Sequence, residues 1–287
     1  PSWTFAATPA AAVAAGLVPY FVDVEPHTWA LDPMAVQRLL PSLPEPPAAV
    51  VPVAPFGAPA DAEAWDTFSD STGIPVVIDS AAAFDGSKAG RNPMVISLHA
   101  TKVLAAGEGG LVASSDKTIV EGVRLRANFG LSARREAIVT GANAKFSEYA
   151  AAVGLAALDG WGQSRRILEG LTDTYTNTLK LVPGLQPSPG TQDGWVSSTC
   201  NVLLDTPIAT EISPRLAAQG IGTARWWGQG CHRHPAFAKL PRTPLPVTES
   251  LAEAVIGLPF YAGLRTEDVE FIVGAVRAAA QRAFDKG

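Results

Sequence analysis

A serine, a histidine and a lysine share six positions, Ser97-Leu98-His99-Ala100-Thr101-Lys102, and a Gly107-Glu108-Gly109-Gly110 turn follows them. An acidic group, Asp79, closes the apolar run that begins at Ile74. An amine, a carboxylate and a hydroxyl together meet a definite need. Pyridoxal phosphate requires an amine to condense with its aldehyde, a carboxylate to keep its ring nitrogen protonated and donors for its phosphate. Lys102, Asp79 and Ser97 are of these three kinds. Each also has a plainer use: Asp79 can cap a helix through Ser80-Ala81-Ala82-Ala83-Phe84, and a lysine alone in a loop is ordinarily a solvated surface group.

For that chemistry the three groups must emerge on one edge of a scaffold. Short β-branched runs at 20–24, 48–57 and 74–80 alternate with Ala-rich helical stretches, and the helix expected over 61–73 closes at Gly73. The alternation predicts an open α/β sheet with several parallel strands. Val50-Val51-Pro52-Val53 and Val76-Val77-Ile78 are apolar at every position, as expected of strands covered by helices on both faces. In such sheets ligands bind beyond the carboxyl ends of the strands. Asp79 stands at one such end, and Ser97 and His99 follow Met94-Val95-Ile96 at another. From Ser147 to about Leu181 the pattern is helical, with Gly162 as the expected break. A strand over 198–205, a helix over 212–220, a Trp- and His-rich loop and a last helix over 266–284 come after it. The organisation predicted is a large domain over 1–150, a helical connector over 151–182 and a small C-terminal domain over 183–287.

A chain of 287 residues that is 47% hydrophobic can bury a sizeable core. A net charge of −5 with no Lys/Arg block argues against nucleic acid as a partner. Cys200 and Cys231 are too few for a disulfide framework, no apolar stretch reaches the length of a membrane span, and no export signal is visible. The expected setting is cytoplasmic, with no membrane partner. Cys231-His232-Arg233-His234 lacks a second cluster at ligand spacing, so no metal is expected. Ser114-x-x-Lys117 matches a penicillin-binding nucleophile motif without its companions, at the end of an expected strand.

With these residues in view, the sequence closely resembles the DegT/DnrJ/EryC1/StrS family of pyridoxal-phosphate-dependent sugar aminotransferases along nearly its whole length. Pro1-Ser2-Trp3-Thr4-Phe5-Ala6-Ala7-Thr8 is similar to the family's P-x-x-T-F/W-x-A-T, and residues 18–33 to its strand and Asp-Pro segment. Residues 97–110 resemble S-F-H-x-x-K-x-L-x-x-G-E-G-G, and residues 141–158 resemble G-x-N-x-R/K-M-S-E-x-x-A-A-x-G-L-x-x-L. Residues 221–237 resemble the small-domain loop with its aromatic pair and histidine.

The resemblance implies an α/β, aspartate aminotransferase-like (type I) fold, with a large, mixed, mostly parallel sheet domain and a small C-terminal α+β domain. It implies a homodimer with shared active sites, and transfer of an amino group, from glutamate by analogy, to a nucleotide-linked keto sugar. Lys102 would bond the cofactor and later move a proton to and from the substrate carbon, and Asp79 would face the ring nitrogen. Phe5 would stack on the ring. Ser97 would bond the phosphate, His99 would share the cofactor site, and Asn143 would reach the neighbouring subunit's phosphate. His232, Trp226 and Trp227 would approach the sugar nucleotide, or else form an aromatic loop packed on the domain interface.

Two departures from the family stand out. Ala82 occupies the place of a glutamine that positions the cofactor in the family's D-A-A-Q. The family's N-terminal segment, with a Ser-Gly-Thr turn that holds phosphate, is expected to be missing ahead of Pro1. From that comes the alternative of a non-catalytic or cofactor-poor protein of this fold, a regulator or partner subunit. Lys102, standing where the family's sugar dehydratases carry histidine, favours transamination.

Overall fold

The computed structural model describes residues 1–284. Helix α1 (Ala7–Ala14) is an alanine-rich run close to the N-terminus. Helix α2 (Pro33–Leu39) starts where the Asp32 carboxylate takes the N–H groups of Met34 and Ala35, with Pro33 in the first turn, where its missing N–H costs nothing. Helix α3 (Ala62–Thr72) is capped by Asp61 and closed, as the sequence predicts, by Gly73 in the left-handed conformation.

Strands β1 (Ile78–Asp79), β2 (Met94–Ser97) and β3 (Gly110–Ala113) lie side by side in that order, with β1 parallel and β3 antiparallel to β2. Residues 50–54 extend the sheet beyond β1, since Val50 and Val53 bridge in parallel to Val76 and Asp79. Pro52 brings no N–H to this ladder, so the run over 48–57 pairs through isolated bridges rather than as a continuous strand. The run over 20–24 is reduced to one parallel bridge, Phe21 to Arg242, because its partner segment is bounded by Pro241 and Pro244.

Helix α4 (Lys117–Ala127) begins at the Asp116 cap, and α5 (Glu148–Asp159) at the Ser147 cap. Helix α6 (Trp161–Leu179) follows immediately. The expected break at Gly162 is displaced: Gly162 lies inside α6, and the chain relaxes at Gly160, whose ψ of −7° opens the turn. Ser80 to Phe84 form turns rather than the helix considered for them.

The C-terminal part holds β4 (Leu185–Pro187), β5 (Cys200–Leu204), α7 (Ala209–Ala217), α8 (Pro246–Ala254), β6 (Val255–Leu258) and α9 (Thr266–Phe284). β4, β5 and β6 form an antiparallel sheet in that order. Leu179, Ile212, Leu216 and Val269 from α6, α7 and α9 are buried with Val202 and Ile256 of the sheet. Burial of each such side chain contributes about 1.5–3 kcal/mol. The N-terminal core gathers Trp3, Trp29, Trp65, Phe56, Ile78 and Met94, and it also takes in Trp227 and Leu251. The loop after Ile221 therefore folds back onto the first sheet. Among the described residues, no helix is long and apolar enough to cross a membrane.

Candidate active site

The parallel pairing of β1 and β2 puts two of the predicted polar residues on one edge. Asp79 is in register with Val95, and Ser97 lies two residues further along β2. Side chains in register, and those two apart along a strand, share a face. Asp79 and Ser97 thus project from the same face at the carboxyl end of the sheet, while Ile78, Met94 and Ile96 point into the core. The backbone of Asp79 is gripped from the far side: its N–H donates to Pro52 O at 2.9 Å, and its carbonyl accepts from Ala54 N–H at 2.8 Å. The half-buried carboxylate accepts from Thr8 Oγ1 at 2.7 Å on Oδ2 and from Ala81 N–H at 3.1 Å on Oδ1. The plainer reading of Asp79 holds in part, since it caps the turn at Ala81, and the second oxygen goes to a residue 71 positions away.

Lys102 sits at the tip of a loop that doubles back from β2 to β3. Leu98 N–H donates to Gly109 O, Ala100 N–H to Gly107 O and Lys102 N–H to His99 O. The glycine-rich turn is a steric requirement of this loop. Gly109 has φ +138°, and a Cβ there would lie 2.1 Å from the Phe146 ring. Gly110, opposite Ser97, would press a Cβ to 3.0 Å from the Ile96 carbonyl. Beneath the loop, Leu98, Leu104 and Ala106 pack on Phe84, Ala157 and Trp161. Phe84 meets Trp161 edge-on at 5.2 Å, so the loops after β1 and β2 rest on the same tryptophan at the start of α6. Asp85 adds a second tie, accepting from Arg165 Nε at 3.1 Å and from Val196 N–H at 3.0 Å.

The amine of Lys102 is half-buried. Desolvation lowers its pKa from 10.5, and the negative charge of Asp79 pulls the other way. Among the described residues, neither Asp79 nor Lys102 belongs to an ion pair. A partly desolvated amine in the loop after β2 and a carboxylate at the end of β1, near enough for their charges to interact, are the donor set that pyridoxal phosphate needs, and these residues fit it. Lys102 would hold the aldehyde carbon and Asp79 the ring nitrogen. Ser97 Oγ accepts from His99 N–H at 3.2 Å, which leaves its own proton for a phosphate oxygen. Phe5 is 63% exposed and stands three residues before Thr8, whose hydroxyl reaches Asp79.

The remaining predicted residues are placed differently. His99 accepts from Thr101 N–H on Nδ1 at 3.2 Å, which puts its ring proton on Nε2, 3.5 Å from Glu108 Oε1. Asn143 is exposed, and its Oδ1 accepts from Lys145 Nζ at 2.8 Å. It makes no hydrogen bond to Asp79, Ser97 or Lys102 among the described residues. Trp227 is 9% exposed and stacks on Phe56 at 3.8 Å, edge-on to Trp3 at 5.2 Å. His232 is 2% exposed, with Nδ1 2.8 Å from Ser2 Oγ, and burial lowers its pKa. Both side chains are thus packed in the interior of this chain. Trp226 alone of the three is open, lying across Gly257, where a Cβ would come 2.4 Å from its indole nitrogen. Cys231, beside His232, is buried and gives its thiol proton to Thr4 O at 3.2 Å. Ser114 Oγ donates to the Arg91 carbonyl, an ordinary loop contact. Thr8, Asp85 and Trp161 escaped the sequence reading. Thr8 closes the T-F-x-A-T motif, which was the one available signal.

The model of the DegT/DnrJ/EryC1/StrS aminotransferase family matches residues 1–277. The dTDP-3-amino-3,4,6-trideoxy-alpha-D-glucose transaminase of Streptomyces venezuelae is 31% identical over 98% of this chain and 76% of its own length. The fold is similar to that of DesI, solved in the presence of its TDP-sugar product, with a TM-score of 0.87 and 31% identity over 99% of this chain and 74% of the other. It is also similar to the aminotransferase TlmJ from Streptoalloteichus hindustanus, with a TM-score of 0.85 and 28% identity over 99% and 79% of the two chains.

Proposed function

This chain belongs to the DegT/DnrJ/EryC1/StrS aminotransferase family, and from that premise we propose that it moves an amino group from glutamate to a keto sugar carried on a nucleotide. It is a pyridoxal-phosphate-dependent aminotransferase of the type I fold. The observation that carries the proposal is the half-buried amine of Lys102, in the loop after β2, within electrostatic reach of Asp79 at the end of β1. The nucleotide-sugar acceptor is supported by the relatives named for dTDP- and TDP-linked sugars.

When bound, the cofactor supplies an aldehyde for the amine and a cationic ring that draws electrons from the reacting carbon. Asp79 holds the proton on the ring nitrogen. Lys102 Nζ, whose burial favours the neutral amine, takes the proton from the donor's α-carbon and returns one to the carbon that becomes aminated. Ser97 binds the phosphate, Phe5 covers one ring face, His99 braces the lysine loop, and Trp226 offers its open indole to the sugar nucleotide. Buried Trp227 and His232 support that loop from behind.

A homodimer with shared sites belongs to the same reading, and it is supported by what surrounds Asn143. Phe129, Ile138 and Tyr149 on the neighbouring stretch are all exposed apolar side chains, with Tyr149 83% exposed. A second copy covering them would bring Asn143 toward the neighbour's phosphate. The free cysteines Cys200 and Cys231 are compatible with a cytoplasmic setting.

The test incubates the protein with pyridoxal phosphate, glutamate and dTDP- and UDP-linked 3-keto and 4-keto sugars, and follows the products by mass spectrometry. Amino-sugar nucleotides are expected. Amination of free keto acids with no nucleotide-linked product would overturn the acceptor class. Absence of a visible absorbance band with saturating cofactor would favour the cofactor-poor alternative.

A further inference from the structure

The carboxylate of Asp79 is held from two sides. Ala81 N–H donates to Oδ1 at 3.1 Å, and the Thr8 hydroxyl donates to Oδ2 at 2.7 Å. Thr8 has a single hydroxyl proton, and this bond uses it. The 2.8 Å contact between the hydroxyls of Thr8 and Thr4 therefore has one direction, with Thr4 donating. Thr4 is itself fixed: it is 1% exposed, its N–H donates to Ser2 O at 3.1 Å, and its carbonyl accepts the Cys231 thiol at 3.2 Å. A directed chain, Thr4 to Thr8 to Asp79, thus joins the start of α1 to the end of β1.

We infer that Thr8, backed by Thr4, is a positioning residue that sets how Asp79 presents itself to the cofactor's ring nitrogen. A carboxylate has about four lone-pair directions. Ala81 and Thr8 fill two of them, on different oxygens, so the plane of the group is set before any ligand arrives. The directions left over are those offered to a ring N–H. Without Thr8, Asp79 keeps its charge but gains freedom to rotate, and a charge-assisted hydrogen bond weakens as its alignment is lost. The inference rests on the reading of Asp79 as the partner of the ring nitrogen.

The test measures binding rather than turnover. Cofactor-free wild type, Thr8→Val, Thr8→Ser and Thr4→Val are titrated with pyridoxal phosphate and with a deaza analogue in which carbon replaces the ring nitrogen, each followed by tryptophan fluorescence. Thr8→Val should bind pyridoxal phosphate about 10-fold more weakly, the scale of a hydrogen bond to a charged group. Thr4→Val should lose less, Thr8→Ser should stay within about twofold, and all should bind the analogue alike. A purely structural Thr8 would weaken both ligands equally. That result, or wild-type affinity in Thr8→Val, overturns the inference. Thr4→Val carries the same discrimination should Thr8→Val not fold. Asp79→Asn, titrated in parallel, separates the two levels. If it discriminates between the ligands and Thr8→Val does not, the positioning role alone falls. If it binds both as wild type does, the reading of Asp79 falls too.

Discussion

The loops carrying Asp79 and Lys102 and the segment from Phe129 to Tyr149 meet where Phe146 lies on Gly109, yet they treat their side chains in opposite ways. The first pair of loops is finished from within the chain. Phe84, Leu98, Leu104 and Trp161 fill the space beneath them, Arg165 ties Asp85, and Thr8 ties Asp79. The second segment keeps its polar groups for one another, with Lys145 bridging Asn128 and Asn143, and leaves Phe129, Ile138 and Tyr149 in solvent. The difference separates two ways of building a site. The first region is locked by local packing, whereas the second leaves apolar side chains uncovered on the surface where the proposed second copy would sit.

The strongest way to break this comparison is at the first region. Lys102→Ala should reduce amination by at least ~10³-fold, within the range expected when a positioned general base is lost. Borohydride reduction of the wild type should fix the cofactor on Lys102, as read by peptide mass mapping. An adduct on another lysine, or an active alanine variant, would reject the assignment. Asp79→Asn keeps the size and removes the charge, and a fall of about 10²-fold is expected in the steady-state rate. Near-normal turnover with cofactor bound would leave Asp79 only its role in capping the turn at Ala81.

The second region is tested by mixing. Lys102→Ala and Asn143→Ala chains, each impaired alone, are dissociated together and reassembled at equal concentration. If Asn143 serves the neighbour's site, half the dimers are mixed and each holds one intact site of two, so about a quarter of wild-type activity should return. If both residues serve one chain's site, nothing is regained. Activity that stays flat despite proven subunit exchange would remove the contrast, leaving Asn143 an ordinary loop residue.

The smallest effect expected is in the pH dependence of cofactor uptake by the cofactor-free protein. Condensation needs the neutral amine of Lys102. Burial lowers its pKa, so the neutral fraction rises with pH about a midpoint below the ordinary 10.5. Asp79→Asn removes the opposing attraction and should move the midpoint further down. A midpoint at or above 10.5 in the wild type would mean a lysine solvated like any surface group.

Much of the first region was legible from local sequence, and the reason is short range. Backbone constraint fixes the Gly107 to Gly110 turn, strand alternation fixes which face Ser97 takes, and a carboxylate at a strand's end is visible from its neighbours alone. Helix α3 declared itself by its Asp61 cap and closing Gly73, α9 was expected over 266–284, where it lies, and α7 was expected over 212–220 but starts three residues earlier and runs Ala209–Ala217. Helix α8 did not, because its N-terminal amides, Val247 and Thr248, are capped from across the fold by Asp23. The paired run over 50–54 was readable as apolar, but Pro52 made its ladder discontinuous. Local sequence thus predicted a carboxylate and a hydroxyl at neighbouring strand ends with an amine in the following loop, and the parallel pairing of β1 and β2 set the first two on one edge. Tertiary structure decided what surrounds them, because burial and partnership depend on residues far apart in the chain. It put Trp227 against Phe56 and His232 against Ser2, in the interior rather than in the open. It gave Asp79 the hydroxyl of Thr8, a contact that no spacing rule encodes, because the two meet only once α1 has packed beside the end of β1.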